Sequence, residues 1–254
     1  MYRDITVNSQ ELKIYHTQHR EGRPTIIFLH DSLGCIKLWR DFPEKLGELT
    51  NCNILVYDRL GYGESAPFIM IERDNNYLEK EADILNGLIT TLQLKEVIFF
   101  GNSDGASISL ISAAKHPEFI KGVIVEGAHI FVEDITLKGI REAAIAYKKA
   151  DLKERLQKYH GNKTDAVFMV WNNVWLSDAF HEWNIEHFLS KITCPVMVIQ
   201  GENDEFGSMA QLEGIVNQVS GKAEKLIIPN IGHTPHKEAP DEVLEKSMFF
   251  INKL

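Results

Sequence analysis

The chain has 254 residues, of which 44% are hydrophobic and 25% are charged, as is typical of a soluble globular protein with a sizeable core. Its formal net charge of −9 and the lack of a basic stripe argue against nucleic acid or an anionic membrane surface as a partner. The sequence shows neither a secretory signal at its start nor the ~20 apolar residues of a membrane span. Its three cysteines form no CxxC pair, and a cytoplasmic location is expected.

Short apolar runs in chain order predict the strands of one sheet. An alternating stretch over residues 5–18 predicts an opening hairpin. Six buried strands are predicted over residues 25–30, 53–58, 97–101, 122–127, 195–201 and 225–229. Because these later runs are continuous rather than alternating, they favour parallel strands that are covered on both faces. Helical patterns over residues 78–92, over 106–114 and from Pro240 onward complete an α/β fold with a mostly parallel, doubly wound sheet.

The segment from residue 131 to residue 191 contains no predicted strand and holds three of the four tryptophans. We interpret it as a helical cap inserted into an α/β core formed by residues 1–130 and 192–254. Ligands in open α/β sheets bind at the carboxyl ends of the strands, where such an insertion would lie. Trp171 and Trp175 are therefore candidate substrate contacts. The alternative is that these aromatic side chains only attach the cap to the core.

The stretch Gly101-Asn102-Ser103-Asp104-Gly105 fits the G-x-S-x-G pattern of a nucleophile elbow. This motif needs a strand before it and a helix after it, and both are predicted here. Small residues are required at the two outer positions, since larger side chains would meet the neighbouring strand or helix. Ser103 is therefore the candidate nucleophile. The alternative is that its hydroxyl caps the following helix.

A serine nucleophile needs a base and an acid that orients the base. In this architecture they follow the serine in the order acid, then histidine. Asp204 lies just past the fifth predicted buried strand, and His233 lies just past the sixth. Three residues in the expected order on three strand ends predict a Ser103–His233–Asp204 catalytic triad.

Three neighbouring residues compete with these assignments. Glu202 and Glu205 flank the predicted acid, and His236 follows His233 by three positions. The two histidines alone do not make a metal site, because no further ligands occur at a suitable spacing. No metal and no cofactor are expected.

The tetrahedral intermediate of acyl transfer carries an oxyanion that needs preorganised donors. We expect one donor to be the backbone N–H of Asp104, and the other to be the N–H of Ser32 in the loop 30–34. The stretch Gly61-x-Gly63-x-x-Ala66 superficially matches a dinucleotide fingerprint. No helix is predicted to follow it at once, so we interpret it as a tight loop.

Taken together, these motifs resemble the α/β-hydrolase superfamily over essentially the whole chain. The further matches are His30-Asp31-Ser32, Asp58-x-x-Gly61-x-Gly63-x-Ser65, His116-Pro117, Gly201-x-x-Asp204, Gly232-His233 and Glu238-x-Pro240. The resemblance implies hydrolysis of an ester or related acyl bond of a small molecule, as in carboxylesterases. Two departures are Asp31, where the family usually has glycine, and Asp204-Glu-Phe-Gly-Ser, where it usually has D-x-x-V-P.

Within the superfamily, the elbow and the stretch GAHIFVED are similar to the valacyclovir hydrolase (biphenyl-hydrolase-like) group. In that group the acid after the nucleophile is taken to meet a substrate amino group. Carried over, this role falls on the Asp104 side chain and implies amino-acid esters. The alternative is that Asp104 stabilises the start of the elbow helix.

The same triad also serves other reactions, so the function remains open at this point. A carbon–carbon bond hydrolase, a lactonase or a lyase would use the same residues. A ligand receptor on this scaffold is a further alternative, and it would be expected to carry a degraded triad.

Overall fold

The computed structural model describes residues 1–70 and 72–254 and is organised around a single sheet. In the described residues the sheet has eight strands, which are β1 (Tyr2–Val7), β2 (Gln10–His16), β3 (Thr25–Leu29), β4 (Asn53–Tyr57), β5 (Val97–Asn102), β6 (Ile120–Glu126), β7 (Val196–Gly201) and β8 (Ala223–Ile228). Their spatial order is β1-β2-β4-β3-β5-β6-β7-β8. The order reverses beside β3, so the carboxyl ends of β3 and β5 flank a crevice that suits a ligand.

The strand directions confirm the predicted α/β-hydrolase fold class. The opening hairpin β1–β2 is antiparallel, and β2 pairs with β4 in the same antiparallel sense. All the remaining pairings, from β4 through β8, are parallel. Every residue of β3, β4, β5 and β7 is buried, as expected for continuous apolar strands that helices cover on both faces.

Helices cover both faces of the sheet. They are α1 (Phe42–Thr50), α2 (Tyr77–Thr91), α3 (Asp104–Lys115), α4 (Asp134–Lys149), α5 (Leu152–His160), α6 (Thr164–Trp175), α7 (Glu186–Leu189), α8 (Met209–Gln218), α9 (Pro235–Glu238) and α10 (Pro240–Ile251). The helical patterns predicted before β5, after the elbow and at Pro240 correspond to α2, α3 and α10. Two apolar clusters, one on each side of the sheet, form the core.

The segment between β6 and β7 contains helices α4 to α7. Its two ends approach each other through an isolated antiparallel bridge between Phe131 and Asn184. Trp183 stacks on Phe180 with ring centroids 5.2 Å apart and planes 11° from parallel. This stack also touches Trp175 at 5.6 Å, so Trp183 contributes to packing within the segment.

The loop that contains Gly61 and Gly63 is followed by no helix until α2 begins at Tyr77, within the residues that the structure describes. A dinucleotide fingerprint would open a helix at once, so this loop lacks the required context. Along the same described ranges, no helix combines the length and apolar character that crossing a bilayer would require.

Candidate active site

The predicted elbow joins β5 to α3 at a single residue. Ser103 has φ 54° and ψ −120°, a conformation that is uncommon for residues with a side chain. Its side chain makes no capping hydrogen bond to α3. The structure thus places Ser103 at the helix start without the capping contact that the alternative interpretation required.

The two glycines of the elbow are required by close backbone contacts. A Cβ atom on Gly101 would lie 2.4 Å from the Gly105 carbonyl oxygen. A Cβ atom on Gly105 would lie 2.1 Å from the carbonyl oxygen of Leu29, in β3. Both distances are far below contact distance, so α3 approaches the sheet this closely only because these side chains are absent.

We expect Gly105→Ala to destabilise the protein by about 2–4 kcal/mol, because its methyl group meets backbone that cannot move without disturbing β3. Gly22→Ala is the control: Gly22 has a positive φ of 67°, but none of the described atoms lies within 4 Å of a Cβ there. Its cost should be only about 1 kcal/mol from backbone strain. Urea unfolding of both variants measures the difference, and equal midpoints would contradict this account of the elbow.

The three residues of the predicted triad lie together at the carboxyl ends of β5, β7 and β8. The Ser103 hydroxyl lies 2.9 Å from Nε2 of His233. On the other side of the ring, His233 Nδ1 lies 2.8 Å and 2.9 Å from the two carboxylate oxygens of Asp204. These distances allow Ser103 to donate to the imidazole and the imidazole to donate to the carboxylate.

The loop around Asp204 holds its carboxylate in place. Oδ1 accepts the backbone N–H of Phe206 at 2.8 Å and that of Gly207 at 3.2 Å. Oδ2 accepts the side-chain amide of Gln200 at 2.6 Å. This network shows how the unusual sequence after the acid is accommodated, since the N–H groups of Phe206 and Gly207 close the turn onto it.

The environment keeps the acid ionised and makes the histidine more basic. Burial raises the pKa of Asp204, but His233, the Phe206 N–H and His129 together lower it more, and the net pKa lies below the ordinary value. Burial alone would lower the pKa of His233. The charge and the hydrogen bond of Asp204, together with the charges of Glu205 and Asp31, outweigh this effect and raise the His233 pKa above its ordinary value.

The competing residues lie elsewhere. Glu202 and Glu205 are exposed, and neither hydrogen-bonds to His233 among the described contacts. His236 is buried and pairs through Nδ1 with the carboxylate of Glu126. It therefore does not face a site shared with His233. Within residues 1–70 and 72–254, no group of three His, Cys, Asp or Glu side chains is arranged to hold a metal ion.

A cavity of about 140 Å³ opens beside Ser103 and His233. It is lined largely by apolar and aromatic side chains from the loop after β3, from α4, from α6 and from the loop after β7. Its remaining lining residues are Asp31, Ser32, Leu33, His129, Thr136, Ile140, Trp171, Trp175 and Phe206. The predicted contacts Trp171 and Trp175 and the predicted oxyanion residue Ser32 therefore all reach this cavity.

His129 and Phe206 are cavity residues that the sequence reasoning missed. Each follows a strand end, β6 for His129 and β7 for Phe206, and that position was the available signal. The His129 ring lies 5.6 Å from the His233 ring, and its Nε2 donates to the Phe206 carbonyl at 3.1 Å. Burial lowers the pKa of His129, so this ring is neutral at pH 7.

The structure places the Asp104 carboxylate, the predicted contact to a substrate amino group, in the interior and not at the cavity wall. Its side chain is 1% exposed and does not line the cavity. Oδ2 accepts the Tyr77 hydroxyl at 2.9 Å and lies 3.8 Å from Nη1 of the buried Arg59. A buried carboxylate is stable only with such partners. The other oxygen, Oδ1, has no hydrogen-bond partner among the described residues.

The two predicted oxyanion donors have unpaired backbone N–H groups. Among the described residues, the N–H groups of Ser32 and Asp104 donate to no protein acceptor. The Asp104 N–H belongs to the first turn of α3, where helix N–H groups have no partner within the helix. The unusual Asp31 accepts the Leu33 N–H at 2.8 Å through its carboxylate, which braces the turn that contains Ser32.

Comparison with known proteins agrees with this architecture. The model of the alpha/beta hydrolase family matches residues 26–246. Serine hydrolase BPHL from Mus musculus is 29% identical over 248 residues, which span 94% of this chain and 82% of that protein. A 2-hydroxy-6-oxononadienedioate/2-hydroxy-6-oxononatrienedioate hydrolase from Klebsiella pneumoniae is 21% identical over 275 residues, spanning 98% of this chain and 94% of that protein.

The fold alone is also shared with more distant structures. MGS-M2, an alpha/beta hydrolase enzyme from a Medee basin deep-sea metagenome library, superposes with a TM-score of 0.80 at 18% identity. The match covers 99% of this chain and 98% of that one. Together with the family match, these similarities confirm the resemblance inferred from the motifs: this chain belongs to the alpha/beta hydrolase family, as a hydrolase similar to Serine hydrolase BPHL.

Proposed function

We propose that this protein cleaves neutral carboxylic esters of small molecules through an acyl-enzyme on Ser103. The observation that carries the proposal is the continuous contact from Ser103 through His233 to Asp204 at the wall of an apolar cavity. A serine hydroxyl is a weak nucleophile until an adjacent base removes its proton, and this arrangement supplies the base.

In the proposed reaction, the Ser103 oxygen attacks the acyl carbon while His233 Nε2 takes the hydroxyl proton. The proton then passes to the leaving alcohol, and the C–O bond to that alcohol breaks. Asp204 holds the imidazole tautomer and stabilises the imidazolium. The N–H groups of Ser32 and Asp104 are proposed to receive the oxyanion. Water, activated by the same histidine, then releases the acid and restores Ser103.

The cavity favours a small, uncharged acyl group. A volume near 140 Å³ is about that of a cavity that holds a benzene-sized molecule. Leu33, Ile140 and Trp171 offer hydrocarbon and aromatic surface to it. The segment 131–191 supplies several of the lining residues, which supports the interpretation of this segment as a cap over the site.

A cationic amino-acid ester fits this site less well. The Asp104 carboxylate, on which that hypothesis depended, already has Arg59 and Tyr77 as partners. Asp31 is the carboxylate residue that does line the cavity, but its oxygens face the Leu33 N–H and, at 3.7 Å, the Lys237 ammonium. Each carboxylate thus already has a positive neighbour and a hydrogen-bond donor, while Oδ1 of Asp104 is buried and accepts no hydrogen bond among the described residues.

We therefore expect ethyl 3-methylbutanoate to be hydrolysed with a kcat/KM at least about 10-fold above that of valine ethyl ester, its α-amino counterpart, since an ammonium group loses water in an apolar cavity without a free counter-charge. Steady-state hydrolysis of both esters measures the ratio. Asp104→Asn and Asp31→Asn should leave the preference for the neutral ester in place. A preference for the amino ester that either substitution removes would contradict the proposed substrate class.

A carbon–carbon bond hydrolase is the second candidate, because one relative is named for a dioate substrate. Two carboxylates on a substrate call for cationic side chains, and no lysine or arginine is among the cavity-lining residues that the structure describes. The lack of cationic side chains among these described lining residues favours a neutral ester over a dicarboxylate substrate. The continuous contact from Ser103 through His233 to Asp204 likewise favours a catalytic function over that of a receptor, which only binds its ligand.

We expect kcat/KM for a neutral ester to fall as the pH is lowered, because protonated His233 cannot accept the Ser103 proton. Asp204 raises the His233 pKa, so the acidic midpoint should lie above the ordinary imidazole pKa rather than at it. A pH–rate profile between pH 5 and pH 9, with enzyme stability checked at each pH, measures the midpoint. A midpoint below the ordinary value would show that Asp204 does not act on the base as proposed.

A further inference from the structure

Arg59 is a buried guanidinium that bridges the two loops expected to form the oxyanion hole. It follows β4 by two residues, and its side chain is 1% exposed. Its Nη2 donates to the backbone carbonyl of Asp31 at 2.7 Å, and its Nη1 lies 3.8 Å from the Asp104 carboxylate. Its guanidinium carbon also lies over the Tyr62 ring, 4.8 Å from the centroid.

The hydrogen bond from Arg59 to the Asp31 carbonyl helps to set the direction in which the Ser32 N–H points. Asp31 and Ser32 are joined by a trans peptide, so the Asp31 carbonyl and the Ser32 N–H point in opposite directions. A donor that holds the carbonyl oxygen therefore also sets where the N–H points. His30 Nδ1, at 2.7 Å, and the Gly34 N–H, at 3.2 Å, approach the same oxygen from within the loop. Of these three donors, Arg59 is the one that connects the Asp31–Ser32 peptide to the segment after β4.

The His30 tautomer agrees with this arrangement. The backbone N–H of Arg59 donates to His30 Nε2 at 3.1 Å, so that nitrogen is the acceptor. Burial lowers the pKa of His30 well below its ordinary value, and the ring is neutral. Its proton therefore lies on Nδ1 and points at the Asp31 carbonyl. Arg59 thus acts on the loop twice, through its side chain and through its backbone.

We propose that Arg59 is a positioning residue of the oxyanion hole, holding the Asp31–Ser32 peptide so that the Ser32 N–H faces the oxyanion formed at Ser103. This inference rests on the proposed function. It also gives the Asp104 side chain a role, as the buried counter-charge that fixes Arg59. Tyr77 completes the support, since it donates to Asp104 at 2.9 Å and accepts the indole N–H of the cavity residue Trp175 at 2.9 Å.

A simpler account is that Arg59 only neutralises Asp104. Two variants separate the accounts. Arg59→Met removes the guanidinium but leaves a buried carboxylate without its counter-charge, so this variant can unfold. Arg59→Met/Asp104→Asn removes both charges and keeps the shape of the cluster. The double variant should therefore fold while still lacking the donor to the Asp31 carbonyl.

Arg73→Met is the matched control. Arg73 is half-buried, lies 4.6 Å over the Tyr77 ring and 5.6 Å from the Tyr62 ring centroid, and pairs with Glu81 at 3.3 Å. No hydrogen bond joins it to the loop 30–34 among the described residues. Its substitution removes the same charge from the same aromatic cluster and should leave kcat within about 2-fold of wild type, since it reaches no oxyanion donor.

The experiment measures hydrolysis of p-nitrophenyl acetate and inhibition by a small trifluoromethyl ketone, whose adduct with serine carries an oxyanion. In Arg59→Met/Asp104→Asn we expect kcat to fall about 10- to 100-fold with KM changed less than about 3-fold, because the lost donor orientation acts on the transition state. The ketone should bind weaker by the same factor, and the acidic pH midpoint should not move. Arg59→Lys should recover part of the loss.

Two outcomes would overturn the inference. Wild-type kcat in the folded double variant would show that Arg59 serves only as a counter-charge. A kcat loss without a matching loss of ketone affinity would place the defect outside the oxyanion hole. If the wild-type protein neither hydrolyses the ester nor reacts with a fluorophosphonate, the proposed function itself fails. This outcome is seen in the wild-type protein alone, whereas a failure of the Arg59 inference is seen only in the variants.

Discussion

Ser103→Ala is expected to lower kcat for p-nitrophenyl acetate by about 10⁴-fold or more, because the acyl group then has no oxygen to which it can be transferred. KM and the thermal midpoint should change little. Ser103 makes no capping bond to α3, so its hydroxyl contributes little to the fold beyond the contact with His233. Initial rates at saturating ester, with the background hydrolysis in buffer subtracted, measure the loss.

Ser112→Ala is a suitable control for that experiment. Ser112 lies on the same helix α3, is fully buried, and its hydroxyl has no hydrogen-bond partner within the described part of the chain. The same chemical change should therefore leave the rate near wild type. Equal rates for wild type and Ser103→Ala would contradict the assignment of the nucleophile.

Asp204→Asn should lower kcat by about 10³- to 10⁴-fold, the second largest effect we expect. The amide replaces a charge that stabilises the imidazolium, and it can hold the His233 ring in the wrong tautomer. Phe206 and Gly207 can still donate to the remaining oxygen, so the loop should keep its shape. The acidic midpoint of the residual activity should also shift down, because the group that raises the His233 pKa has lost its charge.

Glu205→Gln is the matched control for the acid. It removes a carboxylate charge from the adjacent residue, which is exposed and makes no hydrogen bond to His233 in the described structure. Its kcat should stay within about 2-fold of wild type, since an exposed charge is screened by solvent. If Glu205→Gln lost most of its kcat while Asp204→Asn stayed active, Glu205 rather than Asp204 would be the acid of the triad.

The elements of the core could be predicted from the sequence because each carries a local signal. The runs that became β3, β4 and β5 are apolar without interruption, and parallel strands covered on both faces require that pattern. The elbow was recognisable for a similar reason. Gly101 and Gly105 stand where a single added carbon would strike backbone, so the local sequence reflects the packing.

The partners of Asp104 could not be read in the same way. Tyr77 and Arg59 lie 27 and 45 positions earlier in the chain, and nothing local marks them as its neighbours. Whether a carboxylate beside the nucleophile faces the cavity or the interior depends on which buried cation lies near it. That is a property of the folded arrangement of β4, α2 and α3.

The cavity wall shows the same limit. Trp171 and Trp175 lie on the buried face of α6, whose helical spacing is visible in the sequence, but Phe206 and His129 reach the cavity from loops of irregular shape. Periodicity predicts which face of a helix is buried, whereas a loop side chain has no such repeat. For these two residues the one usable signal was their position past a strand end.

Covalent labelling with a small fluorophosphonate, followed by peptide mass spectrometry, tests the central claim that Ser103 is the activated nucleophile. We expect a single adduct on Ser103 in the wild-type protein, no adduct at that peptide in Ser103→Ala, and much slower labelling in His233→Ala. An adduct on a different residue, or labelling whose rate is the same without His233, would contradict the account.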